Sequence, residues 1–556
     1  MTDVQLKEIQ TFLEEEGYEC IYIDNPSGDY LFIDTYINGD VLRLKCTFSL
    51  AFPYEFPKIY ILEEFYKKYK PLPHIDNKGA ICTFDSNKVF PNKDKPKEMT
   101  LEVIKKAIKI INEGVNGVNL NDFRDEFSSY WGLDFKIVAD VIFTPSDKPL
   151  ILTGYRINSD YVYIADDEVK LKNYIQITKG WDFSKSSLIK VLYLPIEKEF
   201  RLPLPKTNSE IITFLKDTKF YKSYLNFIKD NSLVHTILFS QNINGSLCIK
   251  GWEHKKRRTP NGFRKNNVNP LFLYKILNGD DEISKIIVNQ LEHKRIFNRG
   301  GDGNIKDNIK LSITGCGSIG SNLVKNFVDI GVKDFYLIDN EILTSENIAR
   351  HYCGASYLRN LKVTAIKNEL IRHYVDINCN TYPINVFDLL KDNLTVFNEC
   401  DYNFVVVGNL SIERKFLELV NSGEILKPII LVWVEPYLMG GHAVIIQEKA
   451  DIEKYLYDHN FNFKHRIILN GEDYVSREAG CESTYLPYSA FEVQYFLTNL
   501  VDFININIFE KSKKGNYLIS WCGRLDKARK NRMKINSKWM SSDGREMRVI
   551  NIDEMY

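Results

Sequence analysis

Apolar residues recur at Leu6, Ile9 and Leu13, three to four apart, which predicts an amphipathic helix at the start of the chain. In "VLRLKCTFS", Leu42, Leu44, Cys46 and Phe48 alternate with Arg43, Lys45 and Thr47, the period of two expected of a half-buried strand. The proline-marked "FPYEFPKIYIL" predicts another strand, whereas "PLPHIDNKGAICTFD" is too broken by Pro, Gly and Asp to be regular. Helix returns in "TLEVIKKAIKIINEGV", with Leu101, Ile104, Ile108 and Ile111 on one face. Residues 1–132 therefore read as helix, antiparallel meander, irregular loop and helices. Over 133–290 the pattern is mixed. Strands such as "KPLILTGYRI" and "YVYIADD" give way to helices near 211–229 and 271–291, with the basic patch "HKKRRTPNGFRK" between them, and the region is assigned as a linker domain. From 291 to 556 a βαβ pattern dominates, extended by the strands "NFVVVGN" and "KPIILVWVE" and the helix "YSAFEVQYFLTNLVDFI". The expected fold is multidomain, α+β followed by a mixed linker and a Rossmann-like α/β domain.

Within the last region, "ITGCGSIGSNLVKNFVDIGVKDFYLIDNE" runs a strand (Leu311 to Thr314) into Gly315, Gly317 and Gly320 and then into a helix with Leu323, Phe327 and Ile330 on its apolar face. Glycine permits a tight turn and close backbone approach, the helix N-terminus offers unpaired N–H groups to an anion, and a second strand ends at Asp339, placed to hold a ribose hydroxyl. This is a phosphate cradle, and by itself it does not separate a dinucleotide from a nucleoside triphosphate.

With 556 residues the chain has room for roughly three to four domains at about 150 residues each. Its 73 basic and 73 acidic residues cancel, so no global field points to nucleic acid or an anionic membrane as partner. The N-terminal stretch is acidic and amphipathic, unlike a signal peptide, and no run approaches the roughly 18 apolar residues of a spanning helix, so a cytoplasmic protein is expected. The ten cysteines include no CxxC pair, which favours reduced thiols over a disulfide frame or zinc ribbon.

Downstream of Asp339, "NEILTSENIARHYCGASYLRNLKVTAIKNEL" sets out Asn347, Arg350 and, twelve residues on, Lys362. Hydride transfer needs no such series, whereas a triphosphate does, and Arg350 and Lys362 can neutralise charge developing on an α-phosphate and its leaving group. At these residues the sequence resembles the adenylation domain of ubiquitin-activating enzymes and their bacterial ThiF-like relatives, through "GCGSIGS", "YLIDNE", "NIARHYCG" and "NLKVTAIK". The resemblance covers most of residues 295–450. It implies ATP and Mg2+ as cofactors, phosphate contacts from Asn347 and Arg350, and assistance to adenylation from Lys362. Where relatives often carry a magnesium-binding Asp just before an Asn, this chain has Gly408-Asn409, which leaves the metal ligand unknown; Asp401 lies nearby in sequence only.

The first region resembles a ubiquitin-conjugating domain. Pro53, Pro57 and "PLPHIDNKGAIC" correspond to the proline-rich loop and the His-Pro-Asn segment before the catalytic cysteine, here Cys82. Eight residues earlier, where that family usually has an oxyanion-stabilising Asn, stands His74; its imidazole can donate the same hydrogen bond or act as base toward an amine. In "SREAGCESTYLPYSA", the glycine-flanked Cys481 fits the activating cysteine that takes the acyl group from the adenylate, with Arg477 and a helix N-terminus near Tyr488 able to favour its thiolate.

A conjugating domain ahead of an activating domain is similar to the CD-NTase-associated conjugation enzymes of bacterial CBASS antiphage operons. That resemblance implies adenylation of a protein C-terminus, capture by Cys481, transthiolation to Cys82 and attack by a target amine. It further implies a cyclic-oligonucleotide synthase (CD-NTase) as the activated protein, cellular acceptor proteins, a JAB-type protease that reverses the bond, and a homodimer. No membrane or direct nucleic-acid role is expected. Rival readings are a ThiF-like sulfur-carrier adenylyltransferase, an oxidoreductase, and a nucleotide-binding scaffold without turnover.

Overall fold

The computed structural model describes residues 3–25, 28–76, 78–85, 88–119, 122–125, 127–181, 183, 187–200, 204–229, 234–243, 245–255, 269–477 and 484–555. They divide into two compact units, one of residues 1–168 and 183–290, the other of 169–182 and 291–556.

The first unit opens with α1 (Asp3–Glu15), followed by β1 (Glu19–Ile23), β2 (Tyr30–Ile37), β3 (Asp40–Thr47) and β4 (Lys58–Ile61), an antiparallel meander in chain order. The alternation in β3 sets its geometry: Leu42, Leu44 and Cys46 are fully buried while Val41 and Arg43 face outward. Against that face pack Ile9 and Leu13 of α1 and, beyond the short helix α2 (Glu63–Tyr69), Val103, Ile104 and Ile111 of α3 (Pro96–Val115). The short helices α4 (Asp122–Asp125) and α5 (Phe127–Trp131) follow.

The same unit then closes a seven-stranded barrel from β5 (Ile137–Ile142), β6 (Leu150–Arg156), β7 (Tyr161–Ala165), β8 (Ser187–Pro195), β9 (His235–Ile243), β10 (Ser246–His254) and β11 (Ser284–Gln290), in the order β10-β11-β5-β7-β6-β8-β9. Closure leaves no strand edge for aggregation. Trp131 of α5 is fully buried and donates Nε1–H to the carbonyl of Gly251 at 3.0 Å, which ties α5 to the barrel. Residues 284–290 form a strand rather than the C-terminal half of the helix expected over 271–291. The run Ile283, Ile286, Ile287, Val288 is short and β-branched, and such runs do not distinguish helix from strand by period alone. The basic patch centred on residues 256–268 lies outside the described residues.

The second unit begins with α6 (Glu168–Lys179), whose Lys170 pairs with Asp376 and whose Ile177 carbonyl accepts from Arg372 Nε at 3.4 Å. After α7 (Asn208–Lys216) and α8 (Tyr221–Ile228) of the first unit, the chain returns with α9 (His293–Gly300). Then come β12 (Lys306–Thr314), α10 (Ser318–Asp329), β13 (Val332–Ile338), α11 (Lys362–His373), β14 (Asn378–Tyr382), β15 (Tyr402–Val405), α12 (Leu410–Ser422), β16 (Ile429–Val434), β17 (Gly440–Ile446), α13 (Ala490–Phe503), β18 (Tyr517–Cys522) and β19 (Glu546–Asn551). The eight-stranded sheet has the order β14-β13-β12-β15-β16-β17-β18-β19, parallel from β14 to β16 and antiparallel beyond. Leu323 and Phe327 of α10 and Phe496 of α13 pack on one face, Phe416 and Val420 of α12 on the other. The chain thus bears out the expected multidomain class, an α+β N-terminal part and a Rossmann-like C-terminal part. Strand order reverses between β12 and β15, where a doubly wound sheet opens its ligand crevice at the carboxyl ends of the strands. No helix among the described residues is long and apolar enough to cross a membrane.

Candidate functional site

The glycine loop sits at that switch point, and two of its glycines are demanded by the backbone itself. Gly315 has φ +91, and a Cβ there would stand 2.7 Å from the Val406 carbonyl oxygen; one on Gly320 would fall 1.9 Å from the Gly315 carbonyl oxygen. Gly317 differs, since nothing lies within 4 Å of its would-be Cβ. Its open face borders two cavities, one of about 280 Å³ beside Asp339, Lys362, Asn385 and Asn409, the other of about 530 Å³ beside Arg350, Glu413, Trp433, Arg466 and Tyr488. Asp339 is held by the loop it faces: Oδ2 accepts from Cys316 N at 2.7 Å and Oδ1 from Glu341 N at 2.8 Å. Burial raises its pKa, and those N–H groups oppose the shift. A carboxylate so placed has the position expected of a ribose ligand.

The two cations flank the loop. Arg350 donates Nη1–H to the Leu486 carbonyl at 2.8 Å and lies 4.5 Å from the Tyr488 ring centre, while its own carbonyl accepts from Ser318 Oγ and Asn322 Nδ2. Lys362 is buried at the start of α11, its ammonium paired with Glu341. Asn347 occupies a 3-10 turn, where its Oδ1 accepts from the backbone N and the hydroxyl of Thr344, and it borders neither cavity. His351 carries no signal in the sequence pattern. It is buried, accepts from Cys353 N through Nδ1 at 2.9 Å and so presents Nε2–H to the Cys316 carbonyl at 2.9 Å, propping the glycine loop from below.

A nucleoside triphosphate fits this donor set: open glycine backbone, a helix N-terminus, a ribose carboxylate and two cations. Magnesium finds less. Gly408 has φ +59 and no side chain to offer, and Asn409 spends its Oδ1 on Ser411 N and Ile412 N as the cap of α12. Asp401 stands at the opposite end of β15, accepting from Lys310 N at 2.9 Å. Among the described residues no group of three or more His, Cys, Asp or Glu side chains is arranged to hold a metal. Glu413 is a buried carboxyl on the larger cavity, and burial pushes its pKa up to about 7.

In the first unit, Cys82 is the exposed cysteine among those described, the others being buried or half-buried. Desolvation raises the thiols of Cys20 and Cys46 well above the ordinary range. The loop before Cys82 is irregular, as expected, but closely specified. Asp76 Oδ1 accepts from Lys78 N at 2.8 Å and Ala80 N at 2.9 Å, Gly79 (φ +82) approaches the Ile61 carbonyl too closely for any Cβ, and Cys82 N donates to the His74 carbonyl at 2.8 Å. His74 itself has φ +62, and its Nε2 lies 3.0 Å from Asp122 Oδ2. A cavity of about 610 Å³ is bordered by Cys82, His74, Tyr60, Lys78, Ser129 and Tyr130. Asp122, forty residues beyond Cys82, has no sequence signature. Cys481 and the residues around it lie outside the described residues.

Comparison with known proteins fits this division. The model of prokaryotic E2 family B matches residues 27–138 and that of the ThiF family residues 290–444. No curated protein matches the chain. Among solved structures it is similar to PaaA (14% identity, TM-score 0.29), to E. coli MccB with ATP (18%, 0.26) and to E. coli MccB with AMPCPP and MccA (18%, 0.28). Each match covers 44% of this chain and 64% of the other, so the chain spans a little under two thirds of the length of these structures. The two family models put an E2-like and a ThiF domain in one chain, consistent with a bacterial enzyme of the fused activating and conjugating, ubiquitin-like kind.

Proposed function

We propose that this chain is an ATP-dependent ubiquitin-like transferase that activates the C-terminus of a protein and conjugates it to a target. A carboxylate oxygen of the substrate attacks the α-phosphorus of ATP and pyrophosphate leaves, with Arg350 and Lys362 meeting the charge that builds on the phosphates. The Cys481 thiolate then attacks the acyl carbon and displaces AMP. The Cys82 thiolate displaces Cys481 in turn, and a target nucleophile, often a lysine amine, displaces Cys82. Each thioester keeps much of the activation. What supports this most directly is the pairing of a triphosphate-shaped cradle at Gly317 with an exposed Cys82 that shares a cavity with a histidine. From the resemblance to CBASS conjugation enzymes, the activated protein is a CD-NTase, the setting is antiphage defence, the adenylation domains pair as homodimers, and a JAB-type protease opposes the reaction.

The test is a non-reducing gel of the purified protein, its operon's CD-NTase and Mg·ATP, with Cys82→Ala and Cys481→Ala variants. The expected result is a thiol-sensitive adduct that accumulates on Cys481 when Cys82 is removed and vanishes when both are. ATP binding without pyrophosphate exchange or adduct would point instead to a nucleotide-binding scaffold. Conjugation to target proteins that never needs Cys82 would favour a sulfur-carrier adenylyltransferase.

A further inference from the structure

His74 adopts a left-handed backbone conformation that a non-glycine residue holds only against a steric cost, and Asp122, the carboxylate it reaches, is 43% exposed. An exposed ion pair contributes little to stability, so the contact does not explain why the strain is kept. Its geometry does explain something else. In the neutral imidazole only one ring nitrogen carries a proton, and a carboxylate 3.0 Å from Nε2 holds that proton at Nε2. Nδ1 then bears the lone pair, and the ring accepts hydrogen bonds rather than donating them on that side. An Asn, which stands here in ordinary conjugating domains, can always donate.

We propose that Asp122 is a positioning residue that fixes His74 as a proton acceptor, so that His74 serves the acceptor amine at Cys82 rather than the thioester oxyanion. This rests on the transfer function proposed above. As the amine nitrogen bonds to the thioester carbon, His74 Nδ1 takes its proton; the C–S bond breaks and the electron pair leaves as the Cys82 thiolate. The other titratable groups around the cavity are Lys58 and Tyr60 on β4, Asp76 and Lys78 in the loop, and Tyr130 on α5.

Single-turnover discharge of the thioester preformed on Cys82 of the full-length protein, with free L-lysine as acceptor between pH 5.5 and 9, tests this. Asp122→Asn should discharge at least tenfold more slowly, while Cys82 loads as before; Asp122→Glu should recover most of the rate. His74→Asn should lose the rate at every pH. A discharge profile unchanged in Asp122→Asn, or a full rate in His74→Asn, would overturn the assignment and leave the transferase intact. Failure of Cys82 to load in the unmutated protein would remove both.

Discussion

The glycine loop of the second unit and the cysteine loop of the first are both irregular segments that border a cavity, yet they are built in opposite ways. Around Gly315 and Gly320 the chain is packed so closely that a single methyl group has nowhere to go, and its carboxylate, Asp339, is buried and already bonded to the loop. Around Cys82 the thiol is exposed, and the loop is held by an Asx turn, a close glycine, backbone hydrogen bonds such as Cys82 N to the His74 carbonyl, and the partly exposed His74–Asp122 contact. A cradle for a small ligand gains from a rigid, preorganised backbone. In the proposed relay Cys82 meets two protein partners in turn, and exposure of its thiol favours that.

The contrast can be pressed hardest at Lys362. Its replacement by Met removes the buried cation beside the cradle and should lower ATP–pyrophosphate exchange about 10²- to 10³-fold, with little change in melting temperature. Next in size is Gly320→Ala, which should cost about 3 kcal/mol in denaturant unfolding of the second unit because backbone must move. Gly317→Ala should leave stability within about 0.5 kcal/mol and yet weaken ATP binding roughly tenfold or more, measured by calorimetry. If the two alanine variants behaved alike, the division between a structural and a ligand-facing glycine would be wrong.

Glu413 gives the intermediate effect. Its carboxyl is raised from 4.5 to about 7 in the folded chain, so folding favours the protonated form. This contribution to stability is complete below about pH 4.5, declines as pH rises to about 7, and is absent above that. The difference corresponds to on the order of 3 kcal/mol. Glu413→Gln should flatten this part of the stability curve in urea titrations, leaving the similar slope due to Glu292, which burial also raises to about 7. Smallest is Asp76→Ala in the cysteine loop. Losing the Asx turn should cost about 1 kcal/mol and slow the loading of Cys82 while ATP affinity stays the same.

How much of this the sequence revealed follows from the distance over which each feature is encoded. The cradle from Gly315 to Asp339 is local, with strand, glycines, helix and acid following one another, so its shape was legible. The alternation in β3 named its buried side chains for the same reason. The partner of His74 was not legible, because Asp122 reaches it from a helix 48 residues away. His351 likewise supports Cys316 across 35 residues. The barrel was not legible because its closure pairs β8 with β9, and β5 with β7 and β11, strands separated in the chain, in registers that no local period encodes. The lack of a side-chain carboxylate at Gly408 is legible in the sequence, but only the three-dimensional arrangement shows Asp401 at the far end of its strand.

The helix α6 carries a lesson for anyone who would treat the two units as cassettes. Residues 169–182 belong to the second unit although the strands on either side of them belong to the first, so the chain passes from one to the other three times. A second unit expressed from residue 291 onward would lack Lys170, the cation paired with the buried Asp376, and would leave that carboxylate next to Glu292 with its nearest counter-charge gone. Separating the two units along the chain therefore requires three cuts, not one.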